Sequence, residues 1–187
     1  MSNSNISVVY YSGYGHTKVI AEAFAHEIQA NLIAVDQEGL VSEQDWQTLD
    51  QSDAIVFGAP TYMAATPWQF KRFADDSSKR WFNRTWQDKI FGGFTNSGSM
   101  NGDKQMTILQ MQALAAQHGG LWVSLGLMPS NTKAATHNDI NYMGSFGGAM
   151  VQSPADASVN EIPQGGLDTV KAYAKRIQQI TNKFNAK

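Results

Sequence analysis

The sequence predicts a single α/β domain in which βαβ units surround a parallel sheet. Short runs rich in β-branched and aromatic residues alternate with longer stretches of helical period, which is typical of this class. Five such pairs of strand and helix follow one another, so we expect a sheet of five strands. The chain has 187 residues, of which 42% are hydrophobic, and this is enough to bury a sizeable core. We therefore expect residues 1–187 to form one domain.

The first unit is expected as a strand over Ile6–Tyr11 followed by a helix over Thr17–Ala30. In the helix, Ile20, Phe24 and Ile28 recur at four-residue steps and so share one face. This apolar face predicts that the helix packs against the sheet.

The second unit is expected as a short strand over Leu32–Val35 and a helix that ends at Leu49. Ser42 is followed three residues later by Asp45, a spacing that predicts a capping box in which each side chain binds the backbone N–H of the other residue.

The third unit begins with the apolar run Ala54–Gly58, which is typical of a strand buried on both faces. Thr66 and Pro67 predict the N-cap and the first residue of the next helix, because proline is favoured at that first position. We expect this helix to end near Ser78.

The fourth unit is expected as a strand over Ile90–Thr95 and a helix from about Asp103 to His118, where Gly119 ends it. A fifth strand over Leu121–Leu125 would complete the sheet.

The C-terminal part combines a long irregular segment with a clear helix. Residues 126–165 show no sustained periodicity, and their aromatic and glycine content favours an ordered lid over a solvated linker. After this segment, apolar residues recur at three- and four-residue steps and predict a final helix. They are Leu167, Val170, Ala174, Ile177 and Phe184.

Charge and composition exclude several classes of protein. The formal net charge of −2, from 14 Lys and Arg against 16 Asp and Glu, gives no positive excess for nucleic acid or an anionic membrane surface. Without cysteine, the sequence has no disulfide, no Cys-based zinc site and no Cys nucleophile, and four scattered His residues show no metal-ligand spacing. No apolar run approaches the roughly 20 residues of a membrane-spanning helix. The N-terminal residues do not have the pattern of a signal peptide, so we expect a cytoplasmic protein.

The loop after the first predicted strand, Ser12–Thr17, has the composition of a phosphate-binding turn. Gly13 and Gly15 let the backbone approach an anion, while the first N–H groups and the dipole of the following helix attract it. The loop lacks the lysine of a Walker motif and the third glycine of the dinucleotide fingerprint, so a phosphate monoester fits better. An ordinary polar turn in which Thr17 caps the helix is the alternative.

The loops after the third and fourth predicted strands carry no charge before Asp103. Ligands of a parallel sheet bind beyond the carboxyl ends of its strands, where these loops lie. Backbone amides, hydroxyls and flat apolar surface suit a neutral heteroaromatic ring with polar edges, and a flavin is such a ring. Three compatible loops at one edge of the sheet therefore favour a flavin site.

Three segments have sequences typical of a known family: Val8–Thr17, Phe57–Tyr62 and Ala116–Gly120. They resemble the flavodoxin-like superfamily, and within it most closely the WrbA-type NAD(P)H:quinone oxidoreductases. The resemblance implies a flavodoxin-like three-layer sandwich: a five-stranded parallel sheet in the order 2-1-3-4-5 with helices on both faces. It also implies bound FMN, two-electron transfer from NAD(P)H through FMN to a quinone-type acceptor, and a homodimer or homotetramer.

The resemblance further implies three sets of cofactor-binding residues and a catalytic pair. The phosphate of FMN would lie against Ser12, Gly13, Tyr14, Gly15, His16 and Thr17. The ribityl chain and the ring would be flanked by Pro60, Thr61, Tyr62 and Met63, and the polar edge of the ring by Asn96, Ser97, Gly98 and Ser99. The catalytic pair would be His118, near the flavin, and Trp81, in the wall of the nicotinamide and quinone pocket. No metal is implied.

Two other functions fit the same residues. One is an FMN-binding electron carrier without a pyridine-nucleotide site, and the other is a non-catalytic regulatory flavoprotein that kept the fold. The sequence also departs from the WrbA pattern, because Tyr62 stands where that family usually has an arginine and the connection between the second and third strands is short. A dinucleotide-binding fold with Asp36 as the acid that binds ribose ranks last, since its glycine fingerprint is incomplete.

Overall fold

The computed structural model describes residues 4–186. Its strands include β1 (Ile6–Tyr10), β2 (Asn31–Ala34), β3 (Ala54–Pro60), β4 (Ile90–Ser97) and β5 (Leu121–Trp122). These five pair in parallel in the order β2-β1-β3-β4-β5, so the predicted topology is confirmed.

Within the described part of the chain, six α-helices connect and cover the strands. They are α1 (His16–Ile28), α2 (Glu43–Gln51), α3 (Trp68–Asp76), α4 (Ser78–Phe82), α5 (Lys104–Gln117) and α6 (Gln164–Asn185). A short 3₁₀ turn over Val159–Glu161 precedes α6.

Alternating side chains of the central strands fill two separate cores. In β1, Val8 packs into the core that α1 and α6 cover, whereas its neighbour Val9 packs into the core covered by α2, α3 and α5. Both valines are fully buried, which explains why the strand is apolar throughout. The predicted face of α1, which includes Ile20 and Phe24, lies in the first core. The protein is therefore a three-layer sandwich with helices on both faces of the sheet.

One edge of β4 carries two strands where the sequence predicted one. β5 pairs with the start of β4, at Ile90 and Phe91, and a sixth strand, β6 (Ala149–Gln152), pairs in parallel with Phe94–Ser97 on the same edge. The predicted fifth strand is too long, because β5 ends at Trp122 and the chain leaves the edge of β4 once the N–H of Val123 has donated to the backbone oxygen of Phe91 (2.8 Å). The prediction of irregular structure throughout residues 126–165 is wrong over β6.

Buried hydrogen bonds order the segment between β5 and β6. The side chain of Asn141 donates to the backbone oxygens of Leu127 and Ser145, at 3.2 and 3.1 Å, and accepts from the N–H of Ser145. The N–H of Asn141 donates to the hydroxyl of Thr169 on α6 (2.7 Å). Asn141 is 1% exposed, so its polar groups are satisfied entirely by the chain around it.

The start of α2 agrees with the prediction from the sequence, whereas the start of α3 differs from it. Ser42 and Asp45 form the predicted capping box at the start of α2. The prediction that Thr66 is the N-cap of the third helix is wrong, because α3 begins one residue later and Pro67 occupies the N-cap position. The N–H of Thr66 donates instead to the side chain of Gln110 on α5 (2.8 Å).

Candidate cofactor site

A cleft of about 620 Å³ opens at the carboxyl ends of β1, β3, β4 and β6. Its volume lies within the range of small-molecule sites in proteins. Among residues 4–186, no carboxylate or lysine lines it. The lining residues are Tyr14, His16, Thr17, Pro60, Thr61, Tyr62, Asn96, Ser97, Gly98, Ser153, Ala155 and Ala157.

The start of α1 offers unused hydrogen-bond donors beside this cleft. Gly15 occupies the N-cap position with φ 92°, a left-handed conformation that glycine adopts at low cost. The hydroxyl oxygen of Ser12 accepts from the N–H groups of Gly15 (3.1 Å) and Lys18 (3.2 Å). Within residues 4–186, the N–H groups of His16 and Thr17 have no acceptor. With the dipole of a 13-residue helix behind them, these free donors have the arrangement that can hold an anion.

Three buried side chains join the loops that line the cleft. The hydroxyl of Thr17 donates to Asn96 Oδ1 (2.7 Å), and Asn96 Nδ2 donates to the hydroxyl oxygen of Ser153 (2.8 Å). All three residues are no more than 5% exposed. Because the single hydroxyl proton of Thr17 is used on Asn96, Thr17 can donate to an anion only through its backbone N–H.

The loop after β3 is held by a cluster of threonine hydroxyls. Thr61 Oγ1 lies 2.8 Å from the hydroxyl oxygens of both Thr95 on β4 and Thr107 on α5. The N–H of Thr61 donates to the backbone oxygen of Asn96 (2.8 Å). Hydrogen bonds to two elements, β4 and α5, therefore fix Thr61, and with it the position of the next residue, Tyr62.

Tyr62 forms an aromatic wall next to the loop over Ser12–Thr17. Its ring lies edge-on to the ring of Tyr14, with 6.0 Å between the centroids. A Cβ atom at Gly13 would lie 2.6 Å from the Tyr62 hydroxyl, so any larger residue there would have to displace the end of the Tyr62 side chain. Burial, followed by the nearby Tyr11 and Tyr14, raises the pKa of Tyr62 to about 12 and keeps its phenol neutral at physiological pH.

A strained turn follows Tyr62. The backbones of Tyr62 and Ala65 exchange two hydrogen bonds (2.9 and 3.1 Å), and the two residues between them have positive φ: Met63 at 49° and Ala64 at 63°. This is the pattern of a type I′ turn, which normally carries glycine or asparagine. Met63 is 99% exposed, so no packing of its side chain compensates the backbone strain.

The sequence did not identify the segment after β6 as part of the site. Ser153, Ala155 and Ala157 line the cleft, and the backbone oxygen of Ala157 lies 2.9 Å from His16 Nε2. The short apolar run Ala149–Val151 was the available signal, because its strand delivers the next residues to the same edge as the ends of β1, β3 and β4.

The predicted cofactor residues divide into two groups. Nine of the fourteen line the cleft: Tyr14, His16, Thr17, Pro60, Thr61, Tyr62, Asn96, Ser97 and Gly98. The other five, Ser12, Gly13, Gly15, Met63 and Ser99, lie in the same three loops without lining it.

The predicted catalytic pair lies elsewhere. His118 and Trp81 line a groove of about 490 Å³ to which α3, α4 and α5 contribute, and this groove shares no lining residue with the cleft. Trp81 is 40% exposed, whereas His118 is 2% exposed. The structure thus brings the pair together but does not bring it to the cleft of the same chain.

His118 is a buried, neutral imidazole. Ser77 uses its hydroxyl proton on the backbone oxygen of Ala74 (2.7 Å), so His118 Nε2 carries the proton in its 2.9 Å bond to the Ser77 hydroxyl. His118 Nδ1 is then a bare acceptor, and it has no partner within residues 4–186. Its ring packs on Trp86, with 4.5 Å between the centroids. Burial lowers the pKa of His118 to about 4.

Residues 4–186 contain no group of three or more His, Cys, Asp or Glu side chains that could hold a metal ion. No helix formed by these residues is long and apolar enough to cross a membrane.

Comparisons with known proteins agree with the fold. Residues 7–122 match the family model of a flavodoxin domain. Flavodoxin FldP of Pseudomonas aeruginosa (strain UCBPP-PA14) is 56% identical over 183 residues, which cover 98% of this chain and 100% of that protein.

Two other relatives come from different groups. The crystal structure of a flavodoxin, WrbA-like protein from Agrobacterium tumefaciens has a TM-score of 0.80 and 48% identity, over 96% of this chain and 98% of that one. An NAD(P)H dehydrogenase (quinone) of Trichlorobacter lovleyi is 26% identical, over 98% of this chain and 100% of that one. The chain therefore belongs to the flavodoxin-like family, and its predicted resemblance to that family and to WrbA-type proteins is confirmed.

Proposed function

We propose that this protein binds FMN in the cleft and transfers two electrons from NAD(P)H, through that FMN, to a quinone-type acceptor. The observation that carries the proposal is the pair of unused N–H donors on His16 and Thr17, which stand beside a neutral cleft of suitable size. A phosphate monoester attached to a neutral ring matches both features.

The residues present fit the parts of FMN. The phosphate would bind the first turn of α1, next to the cap made by Ser12. Pro60 and Tyr62 would flank the ring, and Ser97 at the end of β4, with Gly98 directly after it, would meet its polar edge. When bound, FMN supplies the two-electron chemistry. The chain positions the ring, excludes water with aromatic walls, and favours negative charge near the positive end of α1.

The surface around the cleft is better suited to a reductase than to a carrier of electrons between proteins. Tyr14 and Met63 are 80% and 99% exposed and uncharged. Such a rim fits a flat, neutral quinone or a nicotinamide ring better than a highly charged protein partner. The relative named NAD(P)H dehydrogenase (quinone) supports the same reading.

In this proposal, Trp81 and His118 act on the cleft of a second copy of the chain. Neither residue lines the cleft of its own chain. A homodimer or homotetramer that places the groove of one copy over the cleft of another would bring them to the substrate. Light scattering at the assay concentration tests this, because a monomer with full activity would exclude a role for both residues.

An electron carrier is the second candidate. It is favoured by the 56% identical relative named a flavodoxin. A carrier would bind FMN through the same residues but would not accept electrons rapidly from NADH or NADPH.

Anaerobic mixing separates the candidates. FMN-saturated protein is mixed with NADH or NADPH while the flavin absorbance is followed, and benzoquinone is then added. Rapid bleaching, with return of the colour on adding benzoquinone, is the result expected for the reductase. A flavin that stays oxidised would favour the carrier or a regulatory flavoprotein, and failure to bind FMN would refute the assignment of the cleft.

A further inference from the structure

Lys104, the first residue of α5, is fully buried and has no carboxylate partner among residues 4–186. Its residue exposure is 0%. Its Nζ donates to the backbone oxygens of Ser99 (2.6 Å), Met100 (2.9 Å) and Asn101 (3.1 Å). Lysine is almost never fully buried unless it is paired. Here, three successive carbonyl groups compensate the ammonium in place of a negative charge.

These carbonyls belong to the loop that directly follows the cleft-lining Ser97 and Gly98. The backbone oxygen of Ser99 also accepts from the hydroxyl of Ser97 (3.3 Å), so Lys104 and a cleft-lining side chain share one acceptor. Gly98 and the next three residues are all exposed and gain little from packing. The ammonium of Lys104 therefore makes three hydrogen bonds to this loop, whereas the side chain of Gln152 donates one, to the backbone oxygen of Gly98 (3.0 Å).

The anchored carbonyls also set the direction of the N–H groups. In a planar trans peptide, each carbonyl points opposite to the N–H of the next residue. The N–H groups of Met100, Asn101 and Gly102 therefore point away from Lys104. None of the three has an acceptor within residues 4–186, so the loop presents free donors on its outer side.

We propose that Lys104 is a positioning residue that holds the loop over residues 98–102 in the conformation that receives the polar edge of the flavin. The proposal rests on FMN binding in the cleft. It predicts that loss of the Lys104 charge weakens FMN binding while the phosphate position at α1 stays intact.

The charge of Lys104 can be removed by pH as well as by mutation. Burial lowers the pKa of Lys104 to about 8, and no charged side chain contributes to this shift. The neighbouring Asp103 is exposed and makes no ion pair with it. A neutral amine has two N–H donors for three carbonyl oxygens, so deprotonation releases at least one of them.

The first measurement needs no flavin. The carbonyl ¹³C shifts of Ser99, Met100 and Asn101 are followed in the apo protein between about pH 6.5 and about pH 9.5. We expect one shared transition near pH 8 that is absent in Lys104→Met. Shifts that stay constant in the wild-type protein would overturn the proposal.

The second measurement is the dissociation constant of FMN, obtained from quenching of flavin fluorescence over the same pH range. We expect Lys104→Met to bind FMN on the order of tenfold more weakly at neutral pH, without the loss that the wild type shows above its transition. Protonation of FMN itself changes the dissociation constants of the wild type and of Lys104→Met alike, so it cancels in the ratio of these two constants. Lys104→Arg keeps the charge, so it should restore affinity and remove the pH dependence near 8.

Lys89 supplies a matched control at the other end of β4. Its Nζ also donates to backbone oxygens, those of Asp50 (2.9 Å) and Ser52. We expect Lys89→Met to lower the free energy of unfolding but not to change FMN affinity. An equal loss of affinity in Lys89→Met would show that Lys104 acts only through general stability and would overturn the proposal.

The outcomes separate this proposal from the proposed function. If the wild type binds FMN and Lys104→Met binds it equally well with the same pH profile, the positioning role alone is refuted. If the wild type does not bind FMN, the proposed function fails and the role toward flavin fails with it.

Discussion

The hydroxyl of Thr17 donates to the side-chain oxygen of Asn96 across 2.7 Å, which joins the first turn of α1 to the end of β4. Both residues are buried, at 1% and 3% exposure. Asn96 continues the connection to Ser153 after β6. One chain of hydrogen bonds therefore sets the relative positions of three segments that line the cleft.

Replacing Thr17 with valine should loosen this connection. Thr17→Val keeps the branched shape but leaves Asn96 Oδ1 buried without its donor, which costs about 1 to 3 kcal/mol of unfolding free energy. FMN affinity should fall as well, because the loops shift relative to one another. Urea unfolding and an FMN titration measure the two effects.

Thr48→Val is the matched control, since the Thr48 hydroxyl donates only to the backbone oxygen of Gln44 within α2 (3.0 Å). We expect a change of about 0.5 kcal/mol or less and no effect on FMN. If Thr17→Val behaved like Thr48→Val, the buried connection would have no importance for the site.

The sequence predicted the sheet better than the site because the two depend on different kinds of information. Apolar strands such as Ala54–Pro60 and the four-residue steps of α1 are local patterns that tertiary packing only reinforces. The contact of Thr17 with Asn96 spans 79 positions in the chain, and no local pattern announces it. The same is true of Lys104. Its sequence context is that of an ordinary surface lysine, and only the structure shows its three carbonyl partners.

The long segment before α6 shows a second limit. β6 has only four residues, and it pairs beside β4 because an ordered excursion after Trp122 brings it back to the same edge. A run as short as Ala149–Val151 is compatible with strand, turn or helix end. The cleft residues Ser153, Ala155 and Ala157 therefore could not be assigned from the sequence without knowing that return.

The close approach of Tyr62 to Gly13 predicts a non-additive pair of mutations. In Gly13→Ala, the new Cβ would lie 2.6 Å from the Tyr62 hydroxyl oxygen, which should cost about 1 to 3 kcal/mol of unfolding free energy. Tyr62→Phe removes that oxygen, and the nearest remaining ring atom lies at an ordinary 3.5 Å. The double variant should recover most of the stability lost in Gly13→Ala.

A double-mutant cycle by urea unfolding measures this coupling. Additive effects would show that the two loops do not press on each other in solution. Gly13→Ala has no problem of backbone conformation, since Gly13 is not among the residues with positive φ. Alanine also lowers the entropy of the unfolded chain, but this effect is the same with and without Tyr62→Phe and cancels in the cycle, which leaves the steric contact with Tyr62.

The neutral state of His118 predicts a loss of stability in acid. The pKa is 6.5 in the unfolded chain and about 4 in the folded protein, so between these values the unfolded state binds more protons. Stability that is fully present above about pH 6.5 should therefore fall as the pH approaches 4, by about 3 kcal/mol at most.

Urea unfolding at several pH values, with His118→Gln for comparison, isolates this contribution. The variant should lose part of its stability at neutral pH, because its bond to Ser77 changes, but its slope between pH 4 and 6.5 should be smaller. His26→Gln, at an exposed position on α1, should keep the wild-type slope. Equal slopes in all three proteins would contradict the buried, neutral imidazole.

The strained turn after Tyr62 predicts opposite effects for two adjacent alanines. Ala64 has φ 63° and is exposed, so Ala64→Gly should relieve strain and stabilise the protein by about 1 kcal/mol. Ala65 does not have a positive φ. In Ala65→Gly, the added freedom of the unfolded chain should dominate and lower stability by about 0.5 to 1 kcal/mol.

The same pair of variants tests whether the strain serves the site. A turn held in a costly conformation next to the cleft is expected to preorganise Tyr62 against the bound ring. Ala64→Gly should then unfold at higher urea concentration yet bind FMN more weakly, because the relaxed turn positions Tyr62 less firmly. If Ala64→Gly gained both stability and affinity, the positive φ values would be a cost of chain geometry without a role in binding.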